Sequence, residues 1–264
     1  MKTNLILILL CCFGIATYAQ EVKSDSTKRD STKQVKKSFK LTIGGRDTVK
    51  AKTNKPSSKF SVQLTMARMD LGLAKFIDNG SFTLSPENQL LENHTWKTHN
   101  IGFEFFQMGY RFNSYIKAYI GGGIDWTHMR LKKDITIQPD KPSLTIVEEP
   151  DMNFKKNRFS STYLRLPLSF QFRTKDDRKG NKVYFVLGPE VGFLVNGKTK
   201  QISDEGKRKV KDDFNLNPLR YGGFARLGYG SFGLFVKHYN SDVFADNQGG
   251  EGIKNTNFGI MLGW

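Results

Sequence analysis

Few side chains in this sequence could act as acids, bases or nucleophiles. Histidine occurs at His94, His99, His128 and His238, and the first three fall near the ends of long polar connections, where Ser160 and Ser161 also fall. A serine, a histidine and an acid can become a hydrolytic triad from any positions, because the fold brings them together rather than their spacing. No nucleophile motif accompanies them, and polar residues at strand ends also serve as a girdle, so the chain is not expected to be an enzyme. Cys11 and Cys12 are the only cysteines, and both lie in a segment read below as removed. That leaves no thiol for catalysis, disulfides or metal binding. No two histidines share a strand face at ligand spacing, and no acidic cluster suits calcium. The Gly121–Gly123 run sits mid-strand, not between a strand and a helix as a phosphate loop requires. No cofactor and no metal are expected.

A larger set of reactive groups is charged. Arg68, Asp70, Glu104, Lys117, Asp125, Arg165, Arg173, Glu190, Arg220, Arg226 and Lys237 recur on one face of segments that alternate with period two. In "YLRLPLSFQFR", Tyr163 to Arg173, one face holds Leu164, Leu166, Leu168, Phe170 and Phe172, and the other Arg165, Pro167, Ser169, Gln171 and Arg173. Period two defines a strand with unlike faces. The segment 116–126 sets Ile116, Ala118, Ile120, Gly122, Ile124 and Trp126 against Lys117, Tyr119, Gly121, Gly123 and Asp125, and the segment 183–195 sets Val183, Phe185, Leu187, Pro189, Val191, Phe193 and Val195 against Tyr184, Val186, Gly188, Glu190 and Gly192. Each apolar face is free of charge, while glycine and the charges share the other. Apolar faces turned inward would leave those glycines without purpose on the outside. Apolar faces turned toward lipid let the glycines make room for Arg, Tyr and Glu in a narrow interior. Buried charges at this density must pair, which predicts a plugged lumen rather than a pore.

Eight such segments end near residues 76, 112, 131, 173, 196, 229, 240 and 264. The connections 78–98, 132–160, 197–218 and 241–256 are long and polar, whereas those at Asn113-Ser114, Thr174 to Lys182 and Gly230-Ser231 are short. Strict long and short alternation places every long connection at one end of an antiparallel meander, as in an outer-membrane barrel with long extracellular loops and short periplasmic turns. The expected fold class is all-β, an eight-stranded antiparallel up-and-down transmembrane β-barrel over residues 59–264. Two strands change phase: Phe60, Val62, Leu64 and Met66 give way to Met69, Leu71 and Leu73, and Ile101, Phe103 and Phe105 to Phe106, Met108 and Tyr110. Either a β-bulge or a strand leaving the membrane partway would do this. Pro167 cannot donate to a neighbouring strand and requires a bulge or a gap in the ladder.

The amino-terminal region has different chemistry. "MKTNLILILLCCFGIATYAQ" carries an early lysine, an apolar run from Leu5 to Ile15 and a small-residue close at Thr17 and Ala19. It reads as a signal peptide over residues 1–19, since the run is short of the about 20 residues that span a membrane. Residues 20–58 form a low-complexity basic linker, expected to be a disordered tail. Twelve Lys or Arg stand against four Asp or Glu between Gln20 and Lys59, half of the chain's formal charge of +16. Such a tail could meet an anionic surface, but the secretory signal argues against nucleic acid as the partner.

"YLRLPLSFQFR", "VYFVLGPEVGFLVNGK" and "NPLRYGGFARLGYGSFGLFVKHYNSDV" resemble phrases of the outer-membrane β-barrel proteins of Bacteroidota, the PorT-like group, over about Lys59 to Trp264. The resemblance implies an eight-stranded barrel with its amino terminus in the periplasm, often without assigned activity, some members assisting protein export. Glu190 in "GPEVG" departs from the aromatic usual there and is expected to pair with a lumen arginine. "DST" at Asp25 and Asp30 and "DTV" at Asp47 look like O-glycosylation sites of these bacteria. The expected role is a non-enzymatic surface barrel, expected as a monomer, with outer-membrane lipid and the barrel-assembly machinery as partners and an unidentified protein engaged through the loops or the basic tail. A small pore or ligand-binding barrel and an outer-membrane hydrolase are the alternatives.

The resemblance also implies that the last strand is an assembly signal, supplied here by Phe258, Ile260, Leu262 and Trp264. A carboxy-terminal extension keeps Trp264 as an interfacial girdle residue but masks a terminal signal. Both the extension and deletion of Trp264 are expected to cause periplasmic accumulation and degradation, read by fractionation; normal outer-membrane levels of the extended chain would leave Trp264 a girdle role alone.

Overall fold

A computed structural model describes the backbone of residues 40–43 and residues 59–263, the side chains of 65–67 excepted. The segment read as a signal peptide, the three glycosylation patterns, most of the basic linker and Trp264 lie outside the described residues.

The strands are β1 (Lys40–Ile43), β2 (Phe60–Asp78), β3 (His99–Arg111), β4 (Ile116–Arg130), β5 (Ile135–Ile137), β6 (Ile146–Glu148), β7 (Lys156–Arg173), β8 (Val183–Ser203), β9 (Gly206–Asp212), β10 (Leu219–Tyr229), β11 (Phe232–Tyr239) and β12 (Ile253–Gly263). Eight of them pair antiparallel in the order β2-β12-β11-β10-β8-β7-β4-β3, and the β2–β3 pairing returns that order to its start. A sheet closed on itself loses the free edges that an open sheet presents. β1 adds in parallel beside the start of β2, from Lys40 opposite Ser61 to Ile43 opposite Leu64.

The two faces of the ring differ as the period-two pattern requires. Leu168 and Phe170 are 39% and 40% exposed, while Ser169 between them is fully buried. The outer face continues through Leu187, Phe193, Leu227, Leu234, Val236, Phe258 and Ile260, all exposed. Glycine supplies the space inside: a methyl on Gly228 would stand 2.4 Å from the Tyr184 ring, and one on Gly192 2.9 Å from Nε of Arg220.

The phase changes in the first two strands of the ring are bulges. The β2–β3 register shifts between Leu64 and Arg68, and the β3–β4 register between Glu104 and Phe106. Phe105 and Phe106 consequently both lie toward the outside, Phe105 exposed and Phe106 half-buried, without breaking the inward run of Glu104 and Gln107. Pro167 sits at a gap: the β4–β7 ladder is continuous to Ile120 opposite Leu168 and resumes at Gly123 opposite Arg165.

The long connections hold more structure than their polarity suggests. The one after β4 contains the β5–β6 hairpin, β7 begins at Lys156 rather than near Ser161, and β8 runs to Ser203 before β9 pairs back on it. Beyond Asn196 both faces of β8 are polar up to Ile202, Lys198 and Lys200 against Thr199 and Gln201, so no hydropathy alternation marks that stretch and backbone pairing alone extends it. The long connections also carry apolar side chains into that end of the ring. Leu84, Leu91, Leu131, Ile135, Ile137, Phe214, Leu216 and Phe244 bury against Phe76, Met129, Phe159 and Ile253 of the strands. A smaller cluster of Tyr119, Tyr184, Val186, Phe224, Phe235 and Met261 fills the short-turn end.

If the outer face meets hydrocarbon, a charge there should cost according to depth. Leu168→Arg, at the middle of the apolar run, is expected to lose about 2–4 kcal/mol and fail to assemble, whereas Val195→Arg, last in its apolar run, should lose about 0–1 kcal/mol. Heat-modifiable gel mobility compares them; equal damage would refute this placement of the band.

Candidate functional site

Between the two apolar clusters the ring holds a layer of charges, each on the inward phase of its strand, with Arg68 and Glu104 at the edges of the two bulges. Asp70 of β2 accepts from Lys237 Nζ at 2.9 Å and Arg165 Nη1 at 3.0 Å, with Arg226 at 3.6 Å. Asp125 of β4 takes Arg220 Nη2 at 2.6 Å on one oxygen and Lys237 Nζ at 3.0 Å on the other, and also accepts from Asn100 at 3.1 Å. Glu104 of β3 lies 3.5 Å from Arg68, 3.6 Å from Arg226 and 3.8 Å from Arg165, and accepts from Gln107 at 2.7 Å. Glu190 of β8 faces Arg165 at 3.4 Å and accepts the Tyr239 hydroxyl at 2.7 Å. These contacts cross the ring, from β7 to β2 and from β11 to both β2 and β4.

Aromatic rings lie against three of the cations, Arg220, Arg226 and Lys237, while among the described residues several guanidinium nitrogens, all three of Arg226 included, make no hydrogen bond. The Arg220 guanidinium lies 4.1 Å from the ring centres of both Tyr163 and Tyr239, and Arg226 4.3 Å from that of Phe224. Such contacts suit guanidinium, which is more weakly hydrated than ammonium and stacks on flat rings. Gly102 gives the layer its space, since a methyl there would come within 3.0 Å of Asp125 and 3.3 Å of Asp70.

Nine of the eleven charges named from sequence thus stand together. Lys117 and Arg173 do not join them. Lys117 lies 4.8 Å from the Tyr119 ring centre near the short-turn end, and Arg173 donates to the Ser114 carbonyl at the rim. The layer's polar neighbours Tyr163, Tyr239, Asn100 and Gln107 escaped the sequence reading. All four share the inward phase, but Tyr163 is displaced by a register shift next to Thr162, and a phenol or amide draws no notice until a charge is seen beside it.

The hydrolytic alternative can be placed as well. His128 Nδ1 and Ser160 Oγ are 2.9 Å apart, directly opposite across β4 and β7. His238 and Thr256 form the same kind of pair at 2.7 Å across β11 and β12. Cross-strand histidine–hydroxyl contacts therefore recur on the outer face as pairing between neighbours. Among the described residues no carboxylate accepts from the other ring nitrogen of His128, and no three His, Cys, Asp or Glu are grouped to hold a metal. A cavity of about 20 Å³, room for one water, lies between Tyr163, Arg220 and Tyr239 of the layer and Leu216 and Val243 of the apolar cap.

A closed antiparallel ring with an apolar outside and a paired, charged inside defines an integral outer-membrane protein. The chain belongs to the outer membrane protein beta-barrel domain family, whose profile matches residues 17–241. No curated protein is similar enough to match the chain.

Removing one buried partner should cost far more than opening a surface pair. Asp70→Ala withdraws the carboxylate shared by Lys237, Arg165 and Arg226, with an expected loss of about 3–5 kcal/mol. Lys132→Ala, which opens the exposed pair with Glu92, should lose about 0–1 kcal/mol. Denaturant unfolding in detergent micelles, followed by tryptophan fluorescence, reads both.

Proposed function

We propose that the chain crosses the outer membrane as an eight-stranded up-and-down barrel of the PorT-like kind, with residues 20–58 in the periplasm and the long connections outside. Its lumen is closed, it catalyses no reaction, and it serves as a structural, surface-interaction or export-accessory component that engages a partner protein through the long loops or the basic tail. The observation that carries this reading is the filled interior: ion pairs reach across the ring from β7 to β2 and from β11 to β4, and an apolar cluster from the long connections lies above them. A conduit needs an open path, and a catalytic site needs a nucleophile reachable by substrate. The charges buried here are instead engaged with one another.

An interaction role at the long-loop end is supported by Trp96, 85% exposed, and Phe82, 65% exposed, on the same connection. Exposed aromatics of that size suit contact with a partner better than water. The hydrolase reading rests on the His128–Ser160 contact alone.

In a planar bilayer the purified protein is expected to show no steady conductance, and Ser160→Ala to leave ester hydrolysis at the level of protein-free vesicles, the same as the unmodified chain. A stable open-channel current would favour the pore, and hydrolysis abolished by Ser160→Ala would favour the enzyme.

A further inference from the structure

The outer face changes character above the apolar band. Arg130 of β4, Arg158 of β7, Lys200 of β8 and Lys209 of β9 lie directly opposite one another in register, a single row of four cations across four strands. Two residues nearer the band, Lys198 and Lys211 form a second row beside Ser160 and His128. Their neighbours in sequence, Met129, Phe159 and Thr199, are buried, so the cations occupy the outward phase. Neighbouring strands lie about 4.8 Å apart, which puts the upper row within about 15 Å. Like charges directly opposite across a ladder destabilise it.

No carboxylate relieves them. Among the described residues none of these six cations forms an ion pair. The acids nearby are engaged elsewhere: Asp204 with Lys155, and Asp212 with the Asp140 amide. Lys207 beside Lys209 holds that ammonium below the usual lysine range. Arg130 donates to the Lys155 carbonyl, and the repulsion across the row is left to be offset by water and salt or by an anion from outside the chain.

We propose that these two rows bind phosphate groups of lipid headgroups in the leaflet around the long-loop end. The position favours lipid over a soluble anion. The cations continue the same outward face as Leu164, Trp126 and Val195, and Lys198 is three residues past Val195, about 10 Å along a tilted strand. The headgroup zone is about 5–8 Å deep on each side of the hydrocarbon, and lysine and arginine stems reach down toward it. The lower row therefore stands at headgroup height and the upper row just above, where phosphates on a saccharide headgroup project. This inference rests on the proposed reading that the outward face meets lipid.

The test is the melting temperature of the mature chain, followed by heat-modifiable mobility, in vesicles of phosphatidylcholine containing a phosphorylated glycolipid or the same glycolipid with its phosphates removed. The unmodified protein should melt about 5 °C or more higher with the phosphates present. Lys198→Gln/Lys200→Gln/Lys209→Gln should lose at least half of that rise, yet melt higher than the unmodified protein in pure phosphatidylcholine, where only the repulsion is removed. Lys209→Gln/Lys211→Gln, confined to β9 outside the ring, tests the same point should the triple variant not assemble. Equal melting in the two glycolipids, or a full rise kept by the variants, overturns the proposal while leaving the membrane reading standing. An equal rise from soluble polyphosphate overturns the lipid as source. Failure to insert into any vesicle overturns both the proposal and the reading beneath it.

Discussion

Asp70 and Asp125 share the ammonium of Lys237 at 2.9 and 3.0 Å, and through Arg165, Arg226 and Arg220 they join Glu104 and Glu190 in one layer. The rest of the interior depends on this contact set. A carboxylate inside a closed ring with an apolar exterior cannot reach bulk water by turning its side chain, because the alternate phase points into the band. It must find a cation on another strand or remain unpaired at a cost of several kcal/mol. A one-residue slip of any of these strands would move its charge to the outside and its leucine or phenylalanine to the inside. The charges thus oppose every wrong register even where their net contribution to stability is small.

Volume is the second constraint. Five long cations and four acids do not fit inside eight strands unless the facing residues are small, and the glycines meet that need at Gly102 beside Asp125, Gly192 beside Arg220 and Gly228 beside Tyr184. Where glycine cannot do this, the backbone adjusts. The bulge at Phe105 keeps Glu104 and Gln107 inside, with a hydrogen bond of 2.7 Å between them, while two phenylalanines face outward. The gap at Pro167 lets Arg165 and Ser169 hold their inward positions on either side of a residue that donates nothing.

How much of this was legible follows from what carries a periodic signal. The ring strands alternate leucine or phenylalanine with glycine or charge, so their faces could be read from Leu164 to Phe172 without coordinates, and inward charges such as Arg165 and Glu190 followed from phase. Partners did not follow. Nothing local says that Asp70 meets Lys237 from the far end of the chain, and the phase of Lys117 and Arg173 is inward although their height keeps them out of the layer. The upper part of β8 is polar on both faces up to Ile202, the upper part of β7 and β9 each have a single apolar inward residue, Phe159 and Val210, and β5–β6 are too short to show a period. The apolar cap was missed for a related reason: Leu84, Leu91, Phe214 and Phe244 are scattered singly through polar connections, and only folding brings them together.

The inside and the outside of the ring treat positive charge in opposite ways. Within the layer each cation has a carboxylate from a different strand, and the aromatic faces of Tyr163, Tyr239 and Phe224 lie against Arg220 and Arg226. On the outside, above the band, Arg130, Arg158, Lys200 and Lys209 repeat one sign across four neighbouring strands with the acids turned away. Repulsion of that kind is tolerated in water because solvent and salt screen it, but it yields no stabilisation of the hairpin that bears it. Among the strands β9 pairs only with β8, held besides by Val210 against the apolar cluster and by Asp212 accepting from the Asp140 amide, and three of its seven residues are lysines on the repelling face. A strand so placed gains most from counter-charge, which makes β9 the part of the fold whose order responds most to what lies against the outer face.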